Sequence, residues 1–190
     1  MITEQAYKDS AASIGCDVAA IKAVAEVESS GAGFLSDGKV KILFEPHIFW
    51  KELRKANIDP APLQSDILYP VWGSVPYGKV SAQHGRLDRA SVIHKDAALK
   101  SASWGKFQIM GFNYAAAGFA TVRDFVNAMM ISEDAQLMAF TTYIKTSHLD
   151  DELRNKDWKG FARGYNGAAY AKNNYDKKLA AAYNKFKGSL

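Results

Sequence analysis

From residue 87 onward the chain repeats one pattern. Apolar side chains return every three or four positions through the successive stretches 87–101, 106–117, 122–130, 132–146, 156–165 and 168–186. That interval is the period of a helix that buries one face, so the chain is expected to be mainly α. Two further helices are expected near the amino terminus. One covers residues 3–14 and ends at Gly15; the next is capped by Asp17 and runs through Ser29, with Val18, Ile21, Val24, Ala25 and Glu28 on adjoining turns. Ser132, followed by Glu133 and Asp134, marks another helix start, because a serine cap and early carboxylates satisfy the free amides at the positive end.

The β signal is confined to residues 39–45, where Val40, Ile42 and Phe44 alternate with Lys39, Lys41, Leu43 and Glu45. This reads as a short strand, one arm of a small hairpin, stopped by Pro46. Residues 47–56 suit a short helix carrying Phe49, Trp50 and Leu53. Residues 57–83 hold Pro60, Pro62, Pro70 and Pro76 together with Tyr69, Trp72 and Tyr77. A long irregular segment this rich in aromatics reads as part of a binding groove rather than as disorder. The expected fold class is therefore α+β, mainly α. A hydrophobic fraction of 48% suffices for one core, and residues 1–190 are expected to form one domain.

Several function classes are set aside by composition. Cys16 is the single cysteine, which excludes an intrachain disulfide framework and a cysteine-based zinc site. His47, His84, His94 and His148 lack metal-ligand spacing, so no metal is expected. The amino terminus has no basic segment followed by an apolar run, which predicts synthesis in the cytoplasm without a signal peptide. Apolar stretches such as 125–131 fall well below the roughly 18 residues of a membrane-spanning helix. The net charge of +4 favours anionic partners but serves solubility equally well, and no nucleic-acid partner or oligomer is expected.

Among the acids, Glu28 stands out. It closes an apolar helix, the turn-forming run Ser29-Ser30-Gly31-Ala32-Gly33 follows, and Glu45 lies on the nearby strand. Burial raises a carboxyl pKa, and a proton-bearing carboxyl with a second carboxylate is the equipment of glycosidic cleavage. Taken on residue types alone, an ordinary solvated glutamate remains the commoner outcome for Glu28, and a strand-end glutamate paired with Lys41 remains open for Glu45. Asp37 is a weaker second acid, since the turn Ser36-Asp37-Gly38 explains it without chemistry.

The segment Ala25-Glu26-Val27-Glu28-Ser29-Ser30-Gly31 resembles the Glu-Ser segment of goose-type lysozymes and soluble lytic transglycosylases. Residues Ser103-Trp104-Gly105-Lys106-Phe107-Gln108-Ile109-Met110 resemble a second motif of that superfamily, and Gly164-Tyr165-Asn166-Gly167 resembles a third, in the same order. Closer still is the N-acetylmuramidase family of bacteriophage endolysins. The chain is similar to it at residues 27–34, at Lys41-Ile42-Leu43-Phe44-Glu45-Pro46-His47 and at Ala102-Ser103-Trp104-Gly105, a likeness that covers nearly the whole chain.

This resemblance implies a lysozyme-like helical domain with a small β element beside the cleft, and a glycan substrate of alternating N-acetylglucosamine and N-acetylmuramic acid. It implies no cofactor, and action on peptidoglycan, in the periplasm of a Gram-negative host. It gives Glu28 as general acid and Glu45 as second carboxylate, with Ser103, Gln108, Tyr165 and Asn166 as candidates to hold sugar or orient the acid. Phe107, Ile109 and Met110 read as core. No separate wall-binding module is expected. Two alternatives accompany hydrolysis. One is a lytic transglycosylase, for which one acid suffices. The other is a noncatalytic wall- or membrane-active protein, suggested by Lys172, Lys177, Lys178, Lys185 and Lys187 interleaved with Tyr175, Leu179, Tyr183 and Phe186. An amphipathic helix that packs its aromatic face on the core explains the same run without a membrane.

Overall fold

The computed structural model describes residues 1–29 and 31–188, without the side chains of 168–170; Ser30, which the sequence assigns to the turn-forming run after Glu28, lies outside the described residues. Helices α1 (Glu4–Ile14) and α2 (Val18–Glu28) open the chain. Thr3 and Asp17 cap them by accepting from the amides of Ala6 and Ala20, and Gly15 ends α1 with a φ of 81°. The buried face of α2 is built largely from small residues, Ala19, Ala20, Ala23 and Ala25 beside Ile21 and Val24. Such a face lets neighbouring helices approach closely. The partner is α9 (Tyr175–Lys187), which buries Leu179, Ala182 and Tyr183 and ties Lys185 to Glu26 at 2.6 Å.

The strand expected at 39–45 is observed as two linked pieces. Leu35 and Lys39 pair across a turn closed by Asp37 and Gly38, Val40 bridges Phe34, and the Lys41 amide donates to Gly33 at 2.9 Å. The chain then continues as β1 (Ile42–Phe44), which pairs with β2 (Ala102–Trp104) rather than with its own hairpin. A third strand, β3 (Ile109–Met110), completes an antiparallel sheet of order β1-β2-β3. Ile42, Trp104 and Ile109 lie opposite one another on its core face, and Leu43, Ser103 and Met110 on the other.

Residues 106–117 do not form the expected helix. Gly105 and Gln108 both adopt positive φ, 71° and 51°, and reverse the chain so that Ile109 pairs with Trp104. A single 3-10 turn, Gly111–Asn113, follows. The apolar spacing there belongs to a strand and a turn in which Phe107, Ile109 and Ala117 are buried, while Met110, expected in the core, is half-buried on the other face of the sheet and Phe112 is exposed.

The other helices are α3 (Pro46–Lys55), α4 (Gln83–Lys100), α5 (Val122–Met129), α6 (Glu133–Thr146), α7 (Asp150–Asn155) and α8 (Trp158–Asn166). α4 begins before residue 87 and is kinked at His94, whose Nδ1 accepts from the Ala97 amide and restarts the helix. The expected helix at 168–186 divides into a 3-10 stretch, Ala168–Asn173, and α9. Residues 57–83 are irregular apart from two 3-10 turns, Ala61–Leu63 and Val80–Ala82. Phe44, Phe49, Phe125, Phe140 and Phe161 centre one main core shared by helices and sheet. No described helix is long and apolar enough to cross a membrane.

Candidate active site

Glu28 occupies the last turn of α2 and is half-buried. Burial pushes its carboxyl pKa up, while a hydrogen bond from Asn166 and the charge of Lys178 restrain the rise without cancelling it. The helix end acts with burial, because the exposed carbonyls of a helix C-terminus disfavour a nearby negative charge. The Asn166 Nδ2 donates to Glu28 Oε1 at 3.0 Å, joining the ends of α2 and α8. Beside them, the Tyr165 ring stacks on Phe161 and meets Phe140 and Tyr143 edge-on. Burial and the Glu28 carboxylate push the Tyr165 phenol far above its ordinary pKa, so it remains a neutral hydroxyl. Glu28 thus has a hydrogen-bond donor in Asn166 and lies near enough to the Tyr165 phenol to act on its pKa.

Two loops converge behind this group. The Lys106 Nζ donates to the Gly31 carbonyl at 2.9 Å, and the Glu133 carboxylate accepts from the Gly33 amide at 2.7 Å. Gln136, buried on α6, accepts from the Lys106 amide at 2.7 Å and donates to the Met129 carbonyl. The fit is tight, since a Cβ at Gly33 or Gly105 would lie 2.1 or 2.6 Å from the Gln136 side chain. The start of α6 therefore clamps the turn after Glu28 against the β2–β3 turn. Within the latter, Ser103 Oγ donates to Gln108 Oε1 at 2.8 Å and Gln108 Nε2 donates to the Gly105 carbonyl at 2.7 Å.

Glu45 extends the ladder beyond β1, its amide donating to the Ser101 carbonyl at 2.9 Å. Strand alternation puts it on the Leu43 and Ser103 face of the sheet, away from the core. Its Oε2 accepts from the Tyr77 hydroxyl at 2.6 Å and lies 3.3 Å from His47 Nδ1. Burial lowers the His47 pKa more than Glu45 raises it, which favours the neutral ring beside the Glu45 carboxylate. The segment bearing Tyr77 is gripped from α4: Arg86 donates to the carbonyls of Pro76 and Tyr77, and Gln83 donates to Tyr77 and Lys79 while accepting from the Phe44 amide. A cleft lined by Glu45, His47, Tyr69, Val71 and Tyr77 results.

The sequence-derived residues thus form three groups: Glu28 with Tyr165 and Asn166, Ser103 with Gln108, and Glu45 with new partners. Among the described residues no hydrogen bond joins Glu28 to Glu45; the hairpin at 33–41 is the covalent path between them. Tyr77, His47, Glu133 and Gln136 were not singled out from sequence. Tyr77 had a signal in the aromatic irregular segment and His47 in the Lys41–His47 motif, while Glu133 was read only as a helix-start carboxylate. No group of three His, Cys, Asp or Glu side chains among the described residues has the arrangement to hold a metal.

A family model described as N-acetylmuramidase matches residues 17–187. The crystal structure of the Burkholderia AP3 phage endolysin is 41% identical with a TM-score of 0.92, the likeness covering 98% of this chain and 71% of that one. No curated protein matches. A match this long, together with an endolysin fold at this identity, shows that the chain belongs to the N-acetylmuramidase family of peptidoglycan-acting glycoside hydrolases.

Proposed function

We propose that the enzyme hydrolyses the β-1,4 bond between N-acetylmuramic acid and N-acetylglucosamine, with Glu28 as general acid and Glu45 as general base. The observation that carries the reading is the Glu28 carboxyl, half-buried with its pKa raised by burial. A carboxyl of that kind holds its proton toward neutral pH and can deliver it to the leaving glycosidic oxygen. Glu45, oriented by Tyr77 and His47, accepts a proton from the attacking water. Delivery from one acid and abstraction by the other leave an inverted anomeric centre. Tyr165 and Asn166 hold the acid, and Ser103 and Gln108 shape the sheet face along which the glycan runs.

Mass spectrometry of digested sacculi tests the chemistry. Reducing muramic acid ends are expected, together with loss of turnover by about 10²–10⁴-fold in Glu28→Gln. Ends bearing 1,6-anhydro-muramic acid would instead make the enzyme a lytic transglycosylase and remove the need for Glu45.

A further inference from the structure

We propose that Trp72 is a sugar-stacking platform on the Glu45 side of the cleft, the apolar face of a pyranose lying on its indole. The inference rests on the reading of Glu45 as part of the reacting site and extends it to a substrate contact.

Four tryptophans occur in the chain, and their exposures differ sharply. Trp104 is 2% exposed and Trp50 and Trp158 are half-buried, whereas Trp72 is 70% exposed, next to Val71 at 59%. Trp72 and Val71 are adjacent and both exposed, so together they offer an apolar surface that a ligand could cover. The neighbourhood identifies one. Val71 and Gly73, on either side of Trp72 in sequence, line the same cleft as Glu45 and Tyr77, which puts Trp72 at its rim and not among its lining residues. Trp72 is also near enough to the Tyr77 phenol to act on its pKa, lowering it against the larger effects of burial and Glu45, and that phenol donates to Glu45 at 2.6 Å.

The platform is anchored as well as exposed. Arg86 and Gln83 hold the carbonyls of Pro76, Tyr77 and Lys79, which fixes the segment just downstream of Trp72 onto α4. An exposed aromatic on an anchored segment loses little conformational entropy when a ligand covers it. Amino sugars present a flat face of C–H groups that suits an aromatic ring, while their hydroxyl and acetamido groups stay in water or meet polar side chains. The occupant is therefore a β-1,4-linked N-acetylhexosamine of the substrate strand.

Two measurements test this. The probe for the first is a tetramer of β-1,4-linked N-acetylglucosamine, read by acrylamide quenching of intrinsic fluorescence in the whole protein. Because Trp72 is the exposed indole, saturating tetramer is expected to lower the quenching constant about twofold, and in Trp72→Phe the ligand-dependent change disappears. In the second, steady-state cleavage of solubilised glycan strands, Trp72→Ala is expected to raise KM about five- to tenfold with kcat within about twofold, and Trp72→Phe to restore most of the loss. Quenching that ignores the tetramer, or a KM unchanged in Trp72→Ala, overturns the platform. Glu45→Gln separates the two readings. If it turns over normally while Trp72 is still protected, the base is misassigned and the platform stands. If it is inactive while Trp72 stays unprotected, the platform falls and the base stands.

Discussion

Asn166 donates its amide to the Glu28 carboxylate at 3.0 Å across 138 positions of sequence, closing α8 onto the end of α2. A donor of this kind favours the ionised carboxylate and opposes the pKa rise that burial imposes. Asn166→Ala is therefore expected to push the Glu28 pKa higher. A general acid works while protonated, so the basic limb of the kcat/KM profile should move to higher pH, and the rate at the optimum should fall about tenfold as the acid loses its orientation. A profile whose basic limb moves to lower pH would show that Asn166 does not act on the acid.

Tyr77 carries a second prediction. Burial, and then its hydrogen bond to the Glu45 carboxylate, push its phenol up to about 12, so it remains a donor throughout the working range. Tyr77→Phe removes that donor and keeps the ring. The expected result is a kcat lowered about tenfold, against roughly 10²–10⁴-fold for Glu45→Gln, with little change in melting temperature. Wild-type kcat in the phenylalanine variant would remove Tyr77 from the positioning of Glu45.

Helices α1, α2 and α6 were legible in the sequence because each pairs a regular apolar interval with a local stop or start, as at Thr3, Gly15, Asp17 and Ser132, whereas α7 (Asp150–Asn155), short and without a side-chain cap, was not expected. The stretch 106–117 was not legible either. Phe107, Ile109 and Met110 are too few to separate two periodicities, and the deciding facts are the positive φ of Gly105 and Gln108, which no spacing reveals. β2 is three residues long and its partner β1 lies about sixty positions upstream, beyond any local pattern. Glu28, Tyr165 and Asn166 were singled out as candidates because they sit in motifs, and the fold brings Asn166 onto Glu28. The contact of Tyr77 with Glu45 spans 32 positions and depends on Arg86 and Gln83 gripping an irregular segment, so only the folded chain displays it.

Gln136 is the point on which two glycines close. Gly105 combines a φ of 71° with a position where a Cβ would stand 2.6 Å from Gln136 Cδ. Gly105→Ala must therefore strain the backbone and displace a side chain that is hydrogen-bonded on both sides. A loss of about 2–4 kcal/mol in denaturant unfolding is expected. Gly38→Ala is the control, since it shares a positive φ but has open space around it, and its cost should stay near 1 kcal/mol. Equal costs at the two sites would show that the clamp on the turn after Glu28 is looser than its geometry.

Glu28 and Glu133 should give stability slopes of opposite sign. The folded pKa of Glu28 lies above its unfolded value, so its contribution is complete below about pH 4 and is lost as pH rises through the folded value. Glu133 is also subject to burial, yet the Gly33 amide and the charge of Lys106 bring its pKa below the ordinary value. Its contribution is present above the unfolded pKa and is lost as pH falls through the folded one. At pH 7, Glu28→Gln should therefore stabilise the protein, raising its melting temperature, while turnover falls. Glu133→Gln should cost about 1–3 kcal/mol at the same pH. Both differences should shrink when melting is repeated near pH 4. A Glu28→Gln variant that is less stable than wild type at pH 7 would mean that the carboxylate is welcomed by its surroundings, and so could not serve as a proton donor there.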